Sequence, residues 1–176
     1  MIITNEQADY LIHLKKKIIQ DDKILDVINL NQEHPIVWSF DLVSAEDDDF
    51  SFRWVIKQSG KNALKISLHY QEAGSNMGLL RVDYCGTHQN PQVAKDNLPE
   101  KFRQYAGKFF THDESHVHYH VDGYKPLAWA IPIADTEMKT MEISKENKNN
   151  DLIASILDFA HLINVETQIT INPLLL

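Results

Sequence analysis

His116, His118 and His120 alternate with Val117 and Tyr119 inside the stretch Glu114 to Ile133. Alternate side chains of a strand point to one face, so a strand here presents a row of imidazoles. Imidazole is a common metal ligand and exchanges protons near neutral pH. Same-face neighbours in a strand lie about 6–7 Å apart at the backbone. An adjacent pair, His116/His118 or His118/His120, can therefore converge on one divalent ion with metal–nitrogen bonds near ~2.0–2.1 Å. The outer pair, roughly 13 Å apart, cannot. Further ligands must come from elsewhere, and His112, Asp113, Glu114, His88 and His69 are of the right type.

A second polar group lies upstream. Arg81 and Asp83 share one face of an apolar stretch, Leu79 to Tyr84, and His88 and Asn90 follow in the loop beyond it. Functional side chains are often presented from such loops. A strand carrying Arg81 and Asp83 beside the histidine strand would gather Arg81, Asp83, His88, His116, His118 and His120 into one pocket. Three chemistries fit that set. Two histidines and an acid can hold a divalent metal that activates water. Without a metal, one neutral and one protonated histidine can act as base and acid while Arg81 holds a phosphate, as in a substrate such as RNA. In the third, Arg81 and Asp83 pair and the histidines are satisfied by hydrogen bonds, with no catalysis. The protein is then an interaction or accessory protein. His13, His34 and His161 are isolated, and Cys85 reads as a small packing residue. There is no P-loop, dinucleotide fingerprint, His-Glu-x-x-His helix or nucleophile elbow.

The elements that must position these groups follow from pattern. Thr4 and Gln7 form a capping box that opens a helix within Met1 to Gln20. Ile24 to Leu30 alternates as a short strand. Ile36–Val43, Phe50–Gln58, Ala63–Gln71 and Leu79–Tyr84 are rich in β-branched and aromatic residues and bounded by turn residues. Their connectors are too short for crossover helices, so neighbours pair antiparallel. Asn97 and Pro99 suggest a short helix over Leu98–Phe110. Asp122-Gly123 predicts a two-residue hairpin turn, which places His118 opposite Leu127 and His116 opposite Trp129. Asp135–Asn150 reads as an exposed loop with Met138 and Met141 as packing anchors. Asp151–Ile163 is helical, and Val165–Ile171 is a closing strand. The expected fold is α+β: one domain over residues 1–176, a mainly antiparallel sheet of about six to eight strands flanked on one side by N-terminal and C-terminal helices.

Composition narrows the classes. The 176 residues are 43% hydrophobic and carry a net charge of −8, which disfavours non-specific binding of a polyanion. One cysteine excludes an intrachain disulfide framework and fits a reducing, cytoplasmic setting. No apolar run approaches the ~20 residues that span a bilayer, so no membrane partner is expected. The tail Pro173-Leu174-Leu175-Leu176 and the sheet edges are the surfaces through which a homodimer would form.

The pair Leu79-Leu80-Arg81-Val82-Asp83…His88-Gln89-Asn90-Pro91 and His116-Val117-His118…Gly123-Tyr124…Leu127-Ala128-Trp129-Ala130-Ile131 resembles a pattern in small uncharacterised proteins of Gram-positive bacteria and their phages or mobile elements. The resemblance covers the central third of the chain. It implies that Arg81, Asp83, His88, Asn90, His116, His118 and Trp129 form one recurring constellation, and it implies no activity.

Overall fold

The computed structural model describes residues 2–174. Its N-terminal helix α1 (Asn5–His13) opens as the capping box requires: Gln7 N donates to Thr4 Oγ1 while Thr4 N donates to the Gln7 side chain. The helix stops well short of Gln20. Its last residues pass into a strand, β1 (Lys17–Gln20), because Lys16 is drawn into the interior and Ile18 packs in the core. Asp21 and Asp22 both take positive φ (50° and 59°) and turn the chain into β2 (Lys23–Leu25), with Gln20 facing Lys23. Positive φ at both central residues is the type I′ hairpin geometry. β3 (Val27–Asn31) follows.

The four apolar stretches become β4 (Val37–Val43), which lies antiparallel to β1, and β5 (Ser51–Gln58), β6 (Ile66–Glu72) and β7 (Met77–Tyr84), each antiparallel to the strand before it. A short excursion then forms β8 (His88–Gln89), a one-turn helix α2 (Glu100–Arg103) and β9 (Phe109–Phe110). Only that turn of the expected 98–110 helix is present, because Phe109 and Phe110 pair with β8 instead. β10 (His116–Tyr119) and β11 (Trp129–Pro132) complete the sheet. Its order is β11-β10-β7-β6-β5-β4-β1-β2, eight strands. Helix α3 (Lys148–Leu162) and β12 (Gln168–Asn172) close the chain. β12 does not join the large sheet; it runs parallel to β3.

One face of the sheet is apolar and carries both long helices. Trp54 lies 6.0 Å from the Phe159 ring of α3, and the Tyr70 hydroxyl donates to the Leu11 carbonyl of α1 at 2.9 Å. Leu11, Leu68, Val82, Val117 and Ile156 belong to the same core. The fold is thus mainly antiparallel α+β with helices from both ends of the chain. No helix among the described residues is long and apolar enough to cross a membrane. Within the 135–150 loop Met138 is buried but Met141 is 43% exposed, so only the former is an anchor. At the tail, Leu174 N donates to the Gln32 side chain and the Leu174 side chain is partly exposed; Leu175 and Leu176 lie outside the described residues.

Candidate functional site

The opposite face of the sheet is polar, and pairing stacks its side chains in rows. Directly opposed residues of an antiparallel pair project to the same face. One row runs Lys57, Ser67, Asp83, His116; the next runs Val55, His69, Arg81, His118. β7 and β10 therefore lie side by side, with His116 facing Asp83 and His118 facing Arg81. The upstream polar group and the histidine strand meet.

Their hairpin register differs from expectation. His118 faces Ala130, not Leu127, and His116 faces Pro132, not Trp129. The shift is three residues, an odd number, and an odd shift exchanges the two faces of a strand. Trp129 and Ile131 therefore join the apolar side with Phe102 and Val121. The cause is the loop. Gly123 takes φ +82°, but Asp122 is not in the left-handed region, so Asp122-Gly123 makes one turn closed by Tyr124 N to Val121 O. A second turn closes from Ala128 N to Lys125 O before β11 begins. This longer loop folds back over the polar face. Its Leu127, at φ +56°, lies where only a glycine fits beneath: a Cβ on Gly78 would meet Leu127 Cδ1 at 2.8 Å.

The loop and the β8–β9 pair roof the cluster. Phe110 stacks on His116 at 4.7 Å, and His88 sits edge-on to His118 at 4.4 Å. His116 and His118 are both 0% exposed. Each has Nδ1 fixed by a backbone carbonyl: His116 to Glu114 O at 2.8 Å and His118 to Leu127 O at 2.9 Å. Each Nδ1–H thus donates to main chain, which turns Nε2 inward. His118 Nε2 meets Asp83 Oδ2 at 3.1 Å and Arg81 Nη2 at 3.0 Å, and Arg81 Nε donates to Asp83 Oδ2 at 2.9 Å. His116 Nε2 is buried and has no hydrogen-bond partner among the described residues.

Electrostatics follow from this packing. Burial pushes His116 down to about 4, so its ring is neutral at pH 7. Burial and the neighbouring His118 lower His88 as well. For Asp83, burial opposes ionisation, but the neighbouring His118 ring and the Arg81 guanidinium outweigh it and hold the carboxyl well below its usual range. Asp83, His116 and His118 each offer a ligand atom, and these atoms lie within 4.8 Å of one another. A tetrahedral ion with bonds of ~2.0–2.1 Å separates its donors by about 3.3 Å. Asp83, His116 and His118 are therefore the residues that could hold an ion here.

The other residues are distributed as follows. His88 is at the cluster, with Nε2 against Asn90 Oδ1 at 3.1 Å and Ala128 O at 3.0 Å. His69 is next to Arg81 across the strands but is occupied by Gln71 at 3.0 Å. His120 lies past the end of β10, where Nε2 contacts the Ile3 carbonyl at 2.7 Å, outside the donor group. His112 and Asp113 form an exposed pair, and Glu114 binds Lys108. Sequence reasoning missed Phe110 and the carbonyls of Glu114 and Leu127; the carbonyls carry no residue-type signal at all.

Residues 3–165 match a family described as a family of unknown function, DUF6978. The chain belongs to this family. The DUF6978 match includes every residue of the cluster and stops before β12. Neither the curated proteins nor the solved structures contain a match.

Proposed function

We propose that this DUF6978 member binds a divalent transition-metal ion through His116 Nε2, His118 Nε2 and the Asp83 carboxylate. The carrying observation is the orphaned His116 Nε2: a buried nitrogen lone pair costs free energy unless something occupies it. Both Nδ1 atoms donate to main-chain carbonyls, the outer-sphere arrangement that orients metal-bound histidine. Burial favours an ion over an organic substrate as the direct occupant, because both imidazoles are 0% exposed. Two imidazoles and one carboxylate suit zinc, iron, nickel or manganese, and three protein donors leave a position open for water or substrate. Arg81, at the mouth, would then hold an anionic group beside that position.

A metal-free reading is favoured by one observation. Arg81 already links Asp83 and His118 at 2.9 and 3.0 Å, a closed network that needs no ion. Equilibrium dialysis of untagged protein against zinc, manganese, nickel and ferrous iron, followed by elemental analysis, separates the two. The metal reading expects about one ion per chain, lost in His116→Ala. Absence of stoichiometric uptake for all four ions leaves the closed network as the correct description.

A further inference from the structure

Two open grooves flank the cluster on the polar face. One, of about 520 Å³, is lined by Arg81, His88, Gln89 and Lys125. The other, of about 340 Å³, is lined by Lys57, Lys65, Ser67 and Asp83. Asp83 reaches into the second and its partner Arg81 into the first, so the two grooves share one ion pair as their wall. Lys57 and Asp83 lie in one row with Ser67 between, two strand spacings or about 10 Å apart. The chain as a whole is acidic, yet each groove presents cations. The acid that lines the second groove, Asp83, is engaged by Arg81, and Asp113 nearby by His112.

The roof adds an aromatic platform. His88 and Phe110 face each other across β8–β9 and turn toward the cluster. The alternate pair, Gln89 and Phe109, turns the other way, and Phe109 is 54% exposed while Gln89 lines the first groove. Phe109 is thus a half-exposed phenyl ring paired across the strands with a residue of the first groove. Cationic grooves that follow a backbone, with an aromatic ring for a base, are the recurrent means of holding a single strand.

We infer that the polar face binds single-stranded nucleic acid, with backbone phosphates at Lys57/Lys65 and at Arg81/Lys125 and one base stacked on Phe109. The strand crosses the Asp83–Arg81 wall between the grooves. This binding surface does not depend on a bound metal ion.

The test is fluorescence anisotropy of a labelled single-stranded RNA, the matching single-stranded DNA and their duplexes, all with EDTA present so that binding is scored without an ion. The inference expects single strands to bind at low salt and to weaken as salt rises, with a slope of about −0.7 per phosphate neutralised. Lys57→Gln/Lys65→Gln should reduce the size of that slope by about 0.7, one phosphate's share, and Lys125→Gln should weaken binding at every sequence tested. Phe109→Ala should weaken binding by roughly fivefold or more. All four side chains are exposed, so these variants keep the fold. No binding at low salt, tighter binding of duplex, or affinity unchanged in all three variants overturns the inference. Metal uptake by the same preparations, measured separately by dialysis, shows whether the metal reading stands or falls on its own.

Discussion

Asn90 behaves toward Ala130 as an extra strand residue would. Its Oδ1 accepts the Ala130 N–H at 2.8 Å and its Nδ2 donates to the Ala130 carbonyl at 2.8 Å. β11 is the last strand of the sheet, and an unpaired edge exposes main-chain groups to association. One buried side-chain amide closes that edge locally, while the same Oδ1 contacts His88 and Nδ2 also reaches Tyr105 O. Asn90→Ala leaves Ala130 N–H and two carbonyls without their partner. The expected loss is about 2–3 kcal/mol in urea unfolding, together with broadened His88 ring resonances. A loss under ~0.5 kcal/mol, the range of an ordinary surface substitution, would show that water replaces the amide.

Gly78 sets the height of the roof. A methyl group there would stand 2.8 Å from Leu127 Cδ1 and 3.2 Å from His69 Cε1. Gly78→Ala must displace the Leu127 side chain, and strain is then expected in the segment whose carbonyl holds His118 Nδ1. The cost expected from such overpacking is about 1–3 kcal/mol. More telling is metal uptake, which should weaken although no donor has changed. Unchanged uptake would mean that His118 does not depend on that carbonyl.

His120→Ala provides the contrast. The ring lies outside the donor group and its contact is with Ile3 O. The variant should take up the same amount of metal as the parent protein while losing about 1 kcal/mol of stability. Loss of the ion in His120→Ala would displace the site toward the end of β10.

Lys16 is 0% exposed, and its ammonium donates to Ile12 O, Leu14 O and Ile163 O at 2.8, 2.5 and 2.8 Å between the rings of Phe52 and Tyr70. Burial lowers its pKa from 10.5 to about 7. Between those values the unfolded chain binds more protons than the folded one, so stability contributed by this group rises as pH climbs from about 7 toward 10.5. Lys16→Met should lose about 1–3 kcal/mol, from three carbonyls left without a donor. It should also flatten the rise in urea midpoint between pH 7 and 9. Parallel pH profiles for the two proteins would show that Lys16 does not titrate there.

The sequence was most legible where local rules suffice. The Thr4–Gln7 capping box, the four central strands and α3 follow from short-range pattern alone. The meeting of Arg81 and Asp83 with His116 and His118 is not fixed by local pattern, because nothing local says that β7 and β10 pair across an excursion containing β8, α2 and β9. The hairpin failed for a definable reason. Asp122-Gly123 does turn, but a second turn at Lys125–Ala128 follows, and the two together move the register by three residues. The true type I′ geometry fell at Asp21-Asp22, where two like charges adjoin and the pattern carries no glycine. Lys16 was equally hidden, since a basic run reads as solvated surface until its middle member is seen turned inward.

The bond from Lys16 Nζ to Ile163 O joins residues 147 positions apart in sequence. Lys16 N donates to Asn164 O, and Ile18 N donates to the Thr167 hydroxyl. At synthesis rates of about 5–20 residues per second, the segment that starts β1 leaves the ribosome roughly 7–30 s before the atoms that complete it exist. During that interval a charged lysine and the first sheet edge have only water for company. Completion of β1 therefore waits until residues 163–167 have been made, and the nascent N-terminal third is the stretch a chaperone would meet first.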